Sequence, residues 1–427
     1  MKVLVVGGGG REHAIIRKLK ESPRVTEIFA APGNGGISYD ATCVPVAATD
    51  IEAIAAWAAE NKMDYVVVAP DDPLAMGLVD LLEEKGIPAF GPNQKAAIIE
   101  ASKAFSKDMM KRYGIPTARY ETFTDVEKAK AYLAACETWP MVLKADGLAL
   151  GKGVLICQSR EEALTAIEEM MVGGKFGASG NTVVIEEFLT GPEVSVLSFT
   201  DGNVVVPMVS SMDHKRALDG DKGLNTGGMG TVAPNPYYTP AVAEECMEKI
   251  FKPTIAAMNA EGRTFKGCLY FGLMITPDGP KVIEYNCRFG DPETQVVLPL
   301  LESDLFTVME AVTEGRLGEV EVKFSQGAAA CVVLASGGYP EHHEKGKSIT
   351  GLTEGQLPGG SATIYHAGTA LKDGSLVTAG GRVLGVTATA ETLEEALGKA
   401  YRSAKEISFS EMHMRTDIGA RALAAKQ

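Results

Sequence analysis

The chain has 427 residues, with 41 Lys plus Arg against 55 Asp plus Glu and a net charge of −14. At about 150 residues per domain, this length suggests about three domains with cores that need no disulfide or metal staple. An acidic chain of pI near 5.1 lacks the basic face that phosphate backbones and anionic membranes require, so nucleic acid and membrane are excluded as partners, while a local basic pocket stays open.

Glycine is in excess: 47 residues, about 11% against a usual level of about 7%. Such an excess asks for tight turns or for close backbone approach to ligands. The seven cysteines, Cys43, Cys136, Cys157, Cys246, Cys268, Cys287 and Cys331, form no CxxC pair and are odd in number. That argues against a zinc ribbon or disulfide framework and for a reducing compartment. The apolar run at residues 3–6 is too short for a signal peptide, and no stretch reaches the length of a membrane span, so a cytoplasmic location is expected.

Residues 1–100 alternate β-branched runs at 3–6, 28–31 and 66–69 with helical spacing at 11–20 and 51–60. Thr49 with Glu52 forms a capping-box pattern, Asp72-Pro73 suits a third helix start, and Gly91-Pro92 closes the unit. The alternation predicts parallel βαβ units in a doubly wound sheet. A helix over 102–113 then runs into the break Gly114-Ile115-Pro116. Capping boxes at Thr124 with Glu127 and at Ser159 with Glu162 start helices around two strands, 141–144 and 154–157, joined by a glycine-rich loop. Strand patterns recur at 182–186, 194–199, 269–275 and 281–286, which gives an α+β unit. After a weakly patterned connection near 318–327, strands near 328–335, 362–367 and 383–388 and a helix capped by Thr392 predict a small third α+β unit. The expected domains are 1–101, 102–325 and 326–427.

The first loop, Gly7-Gly8-Gly9-Gly10-Arg11-Glu12-His13, joins a strand to a helix. Its glycines either make the turn or admit an anion to the helix N-terminus; four in a row favour a polar or phosphate-bearing substrate. A dinucleotide fingerprint fails, because Glu12 stands where Gly or Ala is needed and Ala31-Pro32-Gly33-Asn34 ends the second strand without an acid. The stretch from Lys144 to Val154 sets Lys144 and Lys152 around Gly147, Gly151 and Gly153. Such a loop suits a nucleotide's phosphates, or else is a flexible hairpin with solvated lysines. It is not a Walker sequence, since no Ser or Thr follows Lys152, and Gly346-Lys347-Ser348 is a second near miss.

The strand ending in Glu186 and Glu187, followed by Leu189 and Glu193, can meet an adenine edge and a ribose, or carry solvated acids. Glu284 and Asn286 lie two apart on a strand and so face one side, a pairing that suits a hard cation such as Mg2+ holding phosphates. The alternative there is an exposed polar strand face. The segment Cys287-Arg288-Phe289-Gly290-Asp291-Pro292-Glu293-Thr294-Gln295 has its charges held by Gly and Pro, which favours a binding loop. Asp213-His214-Lys215-Arg216 followed by Asn225-Thr226-Gly227-Gly228-Met229-Gly230 is either an anion site or surface charge. No other His lies near His214 in sequence, and His342-His343 reads as an exposed pair.

Taken in order, these segments resemble the ATP-grasp ligases and, within them, the phosphoribosylamine–glycine ligase family. The carrying residues are GGGGREHA at 7–14, PGNGG at 32–36, DGLALGKGV at 146–154, IEEFL at 185–189, DHKR at 213–216, NTGGMG at 225–230 and EYNCRFGDPETQ at 284–295, with HAGT at 366–369 and GGRVL at 380–384. The resemblance implies a pre-ATP-grasp N-terminal sheet, a central ATP-grasp unit with a lid at about 120–190, and a small C-terminal unit. It implies that ATP, glycine and 5-phosphoribosylamine give ADP, phosphate and glycinamide ribonucleotide through glycyl phosphate, with no protein nucleophile.

By the same resemblance, Lys103, Lys144 and the loop with Gly147, Gly151, Lys152 and Gly153 should hold phosphates. Glu186, Glu187 and Leu189 should meet adenine and Glu193 the ribose. Glu284 and Asn286 should hold Mg2+ or Mn2+, and Arg288, Asp291 and Lys215 should serve glycine and the transition state. Gly9, Gly10, Arg11, Glu12, Asp213, Gly228 and Glu293 should line the substrate sites. The resemblance also implies a monomer, open to transient contact with the enzyme that supplies phosphoribosylamine. Three departures stand out: Gly8 replaces a frequent Asn, Asp71 stands where a glutamate is usual, and 268–275 lacks the acid that other ATP-grasp ligases carry.

Overall fold

Five short strands in the first hundred residues pair in parallel, as the βαβ alternation predicts. They are β1 (Lys2–Gly7), β2 (Glu27–Pro32), β3 (Thr42–Cys43), β4 (Tyr65–Val68) and β5 (Ala89–Phe90), in the order β3-β2-β1-β4-β5. The structure is a computed structural model that describes residues 1–148 and 153–425. Val3 to Val6 are wholly buried, as a strand covered by helices on both faces must be. Strand order reverses between β1 and β4, so the loops leaving their carboxyl ends, near 7–10 and 69–72, open on one crevice.

Two expected caps move by one residue. Helix Ile51–Glu60 is capped by Asp50, which accepts from Ala53 N, and helix Val126–Ala135 by Asp125, which accepts from Lys128 N. In each case an aspartate next to the apolar run displaces the threonine before it, because a carboxylate is the better acceptor for a helix start. Ser159 and Thr392 cap as the sequence suggests. The third helix starts earlier than the Asp72-Pro73 pattern predicts, at Asp71. Helix Gln94–Ala101, capped by Asn93, has no clear sequence signature.

The next four strands, β6 (Tyr120–Phe123), β7 (Met141–Ala145), β8 (Val154–Cys157) and β9 (Val183–Glu187), form an antiparallel sheet ordered β6-β9-β7-β8. It has its own core, built with Leu133, Ile167 and Met170 from two covering helices. A second antiparallel sheet joins β10 (Glu193–Thr200) and β11 (Val205–Pro207) with two later strands. Between them come β12 (Met212–Asp213), the hairpin β13 (Arg216–Leu218) and β14 (Lys222–Asn225), and β15 (Gly230–Ala233). With β16 (Gly267–Thr276) and β17 (Gly279–Asn286), the second sheet is ordered β11-β10-β16-β17.

The C-terminal strands are β18 (Ala328–Ala335), β19 (Thr363–His366), the hairpin β20 (Thr369–Lys372) and β21 (Ser375–Thr378), and β22 (Arg382–Ala390). Their sheet is ordered β12-β15-β18-β22-β19, so two strands from before residue 325 are woven into it, with Gly230 opposite Val332. The fold is thus an N-terminal doubly wound sheet, a central α+β unit of two antiparallel sheets and a small C-terminal α+β unit.

Candidate active site

The floor of the cleft is β17, and a bulge sets what it presents. Gly272 pairs with Glu284 but Leu273 pairs with Val282, which leaves Ile283 as the extra residue. One extra residue shifts the alternation by one step. Val282 and Tyr285 therefore both face the core, while Glu284 and Asn286 share the opposite side. The bulge also frees the Ile283 carbonyl, which accepts from Lys144 Nζ at 3.2 Å and ties the first antiparallel sheet to the second.

Glu284 and Asn286 have no side-chain hydrogen bond or ion pair among the described residues. Burial works against the Glu284 charge, but Lys215, Lys144, Lys103 and Arg288 outweigh it and hold its pKa below the usual range. Two oxygen donors left unspent beside four cations fit a hard divalent ion bound together with phosphates. Among the described residues there is no cluster of three His, Cys, Asp or Glu side chains that could hold a metal alone.

Lys144 pairs across β7 and β9 with Val184, which places Glu186 diagonally adjacent on the same face. The two charges approach to 3.1 Å, and Lys107 comes within 3.6 Å of the same carboxylate. Lys144, Glu186 and Lys107 are 5%, 4% and 2% exposed, so this triad is dry. Lys107 Nζ donates also to Thr117 Oγ1 at 2.7 Å and Ala118 O at 3.0 Å. Glu186 Oε1 lies close to Lys144 but is not aligned for a hydrogen bond to any described residue.

Lys103 donates to Gly147 O at 2.7 Å, and Asp146 accepts from Ser102 Oγ and Ala104 N at 3.1 Å each. The loop after β7 is thereby fastened to the start of helix Lys103–Arg112, and burial lowers the Lys103 pKa. Gly153 N-terminal to β8 is described; Gly151 and Lys152 of the same loop lie outside the described residues. Glu187 is partly exposed and held by Arg119 at 2.9 Å, Leu189 is half-buried in the following loop, and Glu193 opens β10 at 3.5 Å from Lys215.

Beyond β17, Arg288 makes a 3.1 Å ion pair with Glu100, whose other oxygen accepts from Cys287 N at 2.7 Å. Burial opposes the guanidinium charge, but Glu100 and then Asp71 raise the Arg288 pKa, so the cation persists. Its buried Nε has no partner among the described residues, a donor left for a ligand.

Asp291 accepts from Gln295 Nε2 at 2.8 Å and from Arg11 N at 3.4 Å, and lies 3.4 Å from Arg382. Burial raises its pKa, but Arg382 and Arg11 win and hold it low. Glu12 reaches back to Gly9 N at 2.8 Å and pairs with Arg11. The helix N-terminus expected to favour an anion is thus already served by two carboxylates of the chain itself. At Gly10 a Cβ would sit 2.5 Å from Gln295 Nε2, so the amide that Asp291 holds would have to move.

On the remaining wall, burial pushes Asp213 well up, and facing Glu293 adds to it. Burial raises Glu293 also, although Tyr270 donates to it at 3.0 Å. Burial and like charge thus work against ionising both carboxyls together. Lys215 is drawn the other way, its pKa raised first by Glu193. Gly228 closes over this pair at φ +124°, where a Cβ would fall 2.5 Å from Pro292 Cδ and 2.7 Å from Asp213 Oδ1.

His214 takes no part. It is buried, bonded to Gly230 O and Gly419 N, and pushed down to about 4 by burial. Sequence reasoning missed Lys107, Glu100, Tyr270 and Arg382. Arg382 lies in the GGRVL run and donates to Gly227 O and Asp291 O at 2.9 Å each. Only its adjacent glycines could have flagged it.

Two antiparallel sheets clasping a dry lysine–glutamate cluster above a Glu-x-Asn strand define an enzyme of the ATP-grasp class. Sequence profiles described as the phosphoribosylglycinamide synthetase N domain, ATP-grasp (A) domain and C domain match residues 1–100, 101–294 and 329–421. The chain belongs to the phosphoribosylglycinamide synthetase family. It is 48% identical to the phosphoribosylamine–glycine ligase of Caldanaerobacter subterraneus subsp. tengcongensis, over 98% of this chain and 100% of that protein. It is 47% identical to the enzyme of that name from Halalkalibacterium halodurans, over 100% and 98%. The crystal structure of phosphoribosylamine–glycine ligase from Thermotoga maritima superposes with a TM-score of 0.85 at 37% identity, covering 98% of this chain and 100% of that one.

Proposed function

We propose that the cleft joins glycine to 5-phosphoribosylamine at the expense of ATP, giving glycinamide ribonucleotide, ADP and phosphate, in purine biosynthesis. The observation that carries this reading is the Glu284–Asn286 pair, unpartnered among the described residues and ringed by Lys103, Lys144, Lys215 and Arg288.

The γ-phosphoryl group passes to a carboxylate oxygen of glycine and ADP leaves. The amine nitrogen of phosphoribosylamine then attacks the acyl carbon, phosphate departs and the nitrogen loses a proton. Neither step needs a protein nucleophile; both need the reactants aligned and their charge offset. Lys103, Lys144, Gly147 and Gly153 are assigned to the phosphates, together with Gly151 and Lys152. Glu186, Glu187 and Leu189 are assigned to adenine and Glu193 to ribose.

Glu284 and Asn286 are assigned to Mg2+ or Mn2+, which when bound would offset phosphate charge. Arg288 keeps its charge on burial and has a free Nε, which suits the glycine carboxylate or the acyl phosphate. Asp213 and Glu293, whose joint ionisation burial and like charge oppose, suit the amine; Lys215, Asp291 and Gly228 complete that wall. Gly9, Gly10, Arg11 and Glu12 are assigned to the substrate side, where Arg11 and Glu12 act through the shape of the loop they hold.

The matched ranges support functional units at 1–101, 102–325 and 326–427, and the self-contained core of the sheet β6-β9-β7-β8 supports a lid at about 120–190. A monomer in the cytoplasm, in passing contact with the enzyme that makes phosphoribosylamine, completes the proposal. No described helix is long and apolar enough to cross a membrane.

Glu284→Ala tests the assignment. Turnover should be abolished while the circular dichroism spectrum and unfolding midpoint stay within error; normal turnover in that variant would overturn it.

A further inference from the structure

A second concavity lies on another side of the molecule, where the end of helix Gly10–Leu19 meets helix Leu393–Ala404. Its volume is about 910 Å3, within the range of about 300–1,000 Å3 usual for small-molecule sites. None of the cleft residues named above lines it.

Five cations converge there, Arg17, Lys18 and Lys20 from the first helix and Lys399 and Arg402 from the second, against the carboxylates of Glu21 and Asp40. A local excess of three positive charges stands out in a chain of net charge −14. Lys18 is answered by Glu21 at 2.8 Å. Arg17 and Lys20 must share Asp40, at 3.1 and 2.7 Å, and Asp40 also accepts from buried His13 at 2.8 Å. Lys399 and Arg402 have no carboxylate within 4 Å among the described residues.

Basic side chains in a last helical turn ordinarily answer the helix dipole, and that would explain Arg17, Lys18 and Arg402 but not Lys399, which lies mid-helix. Nor does it explain two helices from different units delivering basic side chains to one concavity. The wall between them is mixed: half-buried Pro299, with Leu298 and Tyr365 beneath it, lines an apolar side, and exposed Thr389 offers a hydroxyl, while that of Thr387 is buried. The Arg402 guanidinium, without a partner among the described residues, and Lys399, held only by Thr389 O at 3.4 Å, stand beside an apolar wall and match an anion carried on a flat or hydrocarbon body.

We propose that this pocket is a binding site for a phosphate-bearing small molecule of nucleotide size, separate from the catalytic cleft. Cationic side chains from both helices take the phosphates, and the apolar wall takes the base or sugar. Helix Gly10–Leu19 begins beside Asp291 and ends in this pocket about 15 Å away at 1.5 Å per residue. The occupant therefore sits on the same rigid element as the first glycine loop.

The test is equilibrium dialysis with ADP and with pyrophosphate as probes. It compares the full chain with a Lys399→Glu/Arg402→Glu variant, both side chains being exposed and outside the cleft. At low salt the wild type should bind two equivalents of at least one probe. In the variant the second class should weaken at least about tenfold, as expected when two charge-assisted contacts become repulsive. Turnover at saturating substrates should stay unchanged. The milder Lys399→Ala change should weaken the second class in the same direction and guards against misfolding of the double variant. One equivalent of each probe in the wild type, or a second class indifferent to these substitutions, would overturn the proposal.

Discussion

Lys107→Met removes a buried ammonium from the triad with Lys144 and Glu186, and its effect should depend on pH in a definite way. Burial pushes Lys107 down from 10.5 to about 8, although Glu186 pulls it up. A gap of about 2.5 units corresponds to about 3 kcal/mol by which charged Lys107 penalises the native state at neutral pH. Below pH 8 the penalty is complete. Between pH 8 and 10.5 the unfolded chain keeps the proton that the native chain has released, so stability rises with pH.

The bonds to Thr117 and Ala118 survive deprotonation, because a neutral amine still donates two hydrogens. Their loss in the variant is therefore a constant offset. Urea unfolding of both proteins from pH 7.5 to 10.5 cancels the other titrating groups. The difference should move by about 3 kcal/mol in favour of the wild type as pH rises. A difference constant within about 1 kcal/mol would refute the argument that burial dominates at Lys107.

Three other outcomes follow from the same geometry. Glu100→Gln keeps an acceptor for Cys287 N but removes the charge that positions Arg288; kcat/KM should fall about 10- to 100-fold with the fold intact, and an unchanged value would show that Arg288 needs no anchor. Gly228→Ala places a Cβ against Pro292 and Asp213 at a left-handed φ; steady-state kinetics should show the KM for an amine or amino-acid substrate rising about tenfold or more for a strain of about 1–3 kcal/mol, with ATP affinity unmoved. His366 is held neutral at about 3 by burial, so it costs stability as pH falls through 6.5. By pH 5 that cost is about 2 kcal/mol, and urea unfolding of His366→Asn should show an acid loss smaller by that amount.

The β-branched runs and their spacing made the N-terminal sheet readable, because a parallel strand buried on both faces leaves an unbroken apolar signature. The strands β12 and β15 were not readable as part of the C-terminal sheet. They are two and four residues long, and partners such as Val332, a hundred residues away, decide their register. The Glu284–Asn286 pair was legible by alternation, but the bulge at Ile283 that phases it depends on β16 and left no mark in β17 alone.

Glu100 and Lys107 look like ordinary helix residues, and their roles arise from the elements that bury them. Glu12 reads as substrate-facing from its place in the glycine loop, yet it is 1% exposed and bonded to Gly9 N. A glutamate three residues after a helix start is equally a capping residue, and sequence alone gives no way to separate the two uses.

The central claim concerns which carboxylate accepts the phosphoryl group, and ADP release measures it. With Mg2+, ATP and freshly generated 5-phosphoribosylamine, ADP should form in step with glycinamide ribonucleotide only when glycine is present. ADP formed at the same rate with glycine omitted would contradict the account.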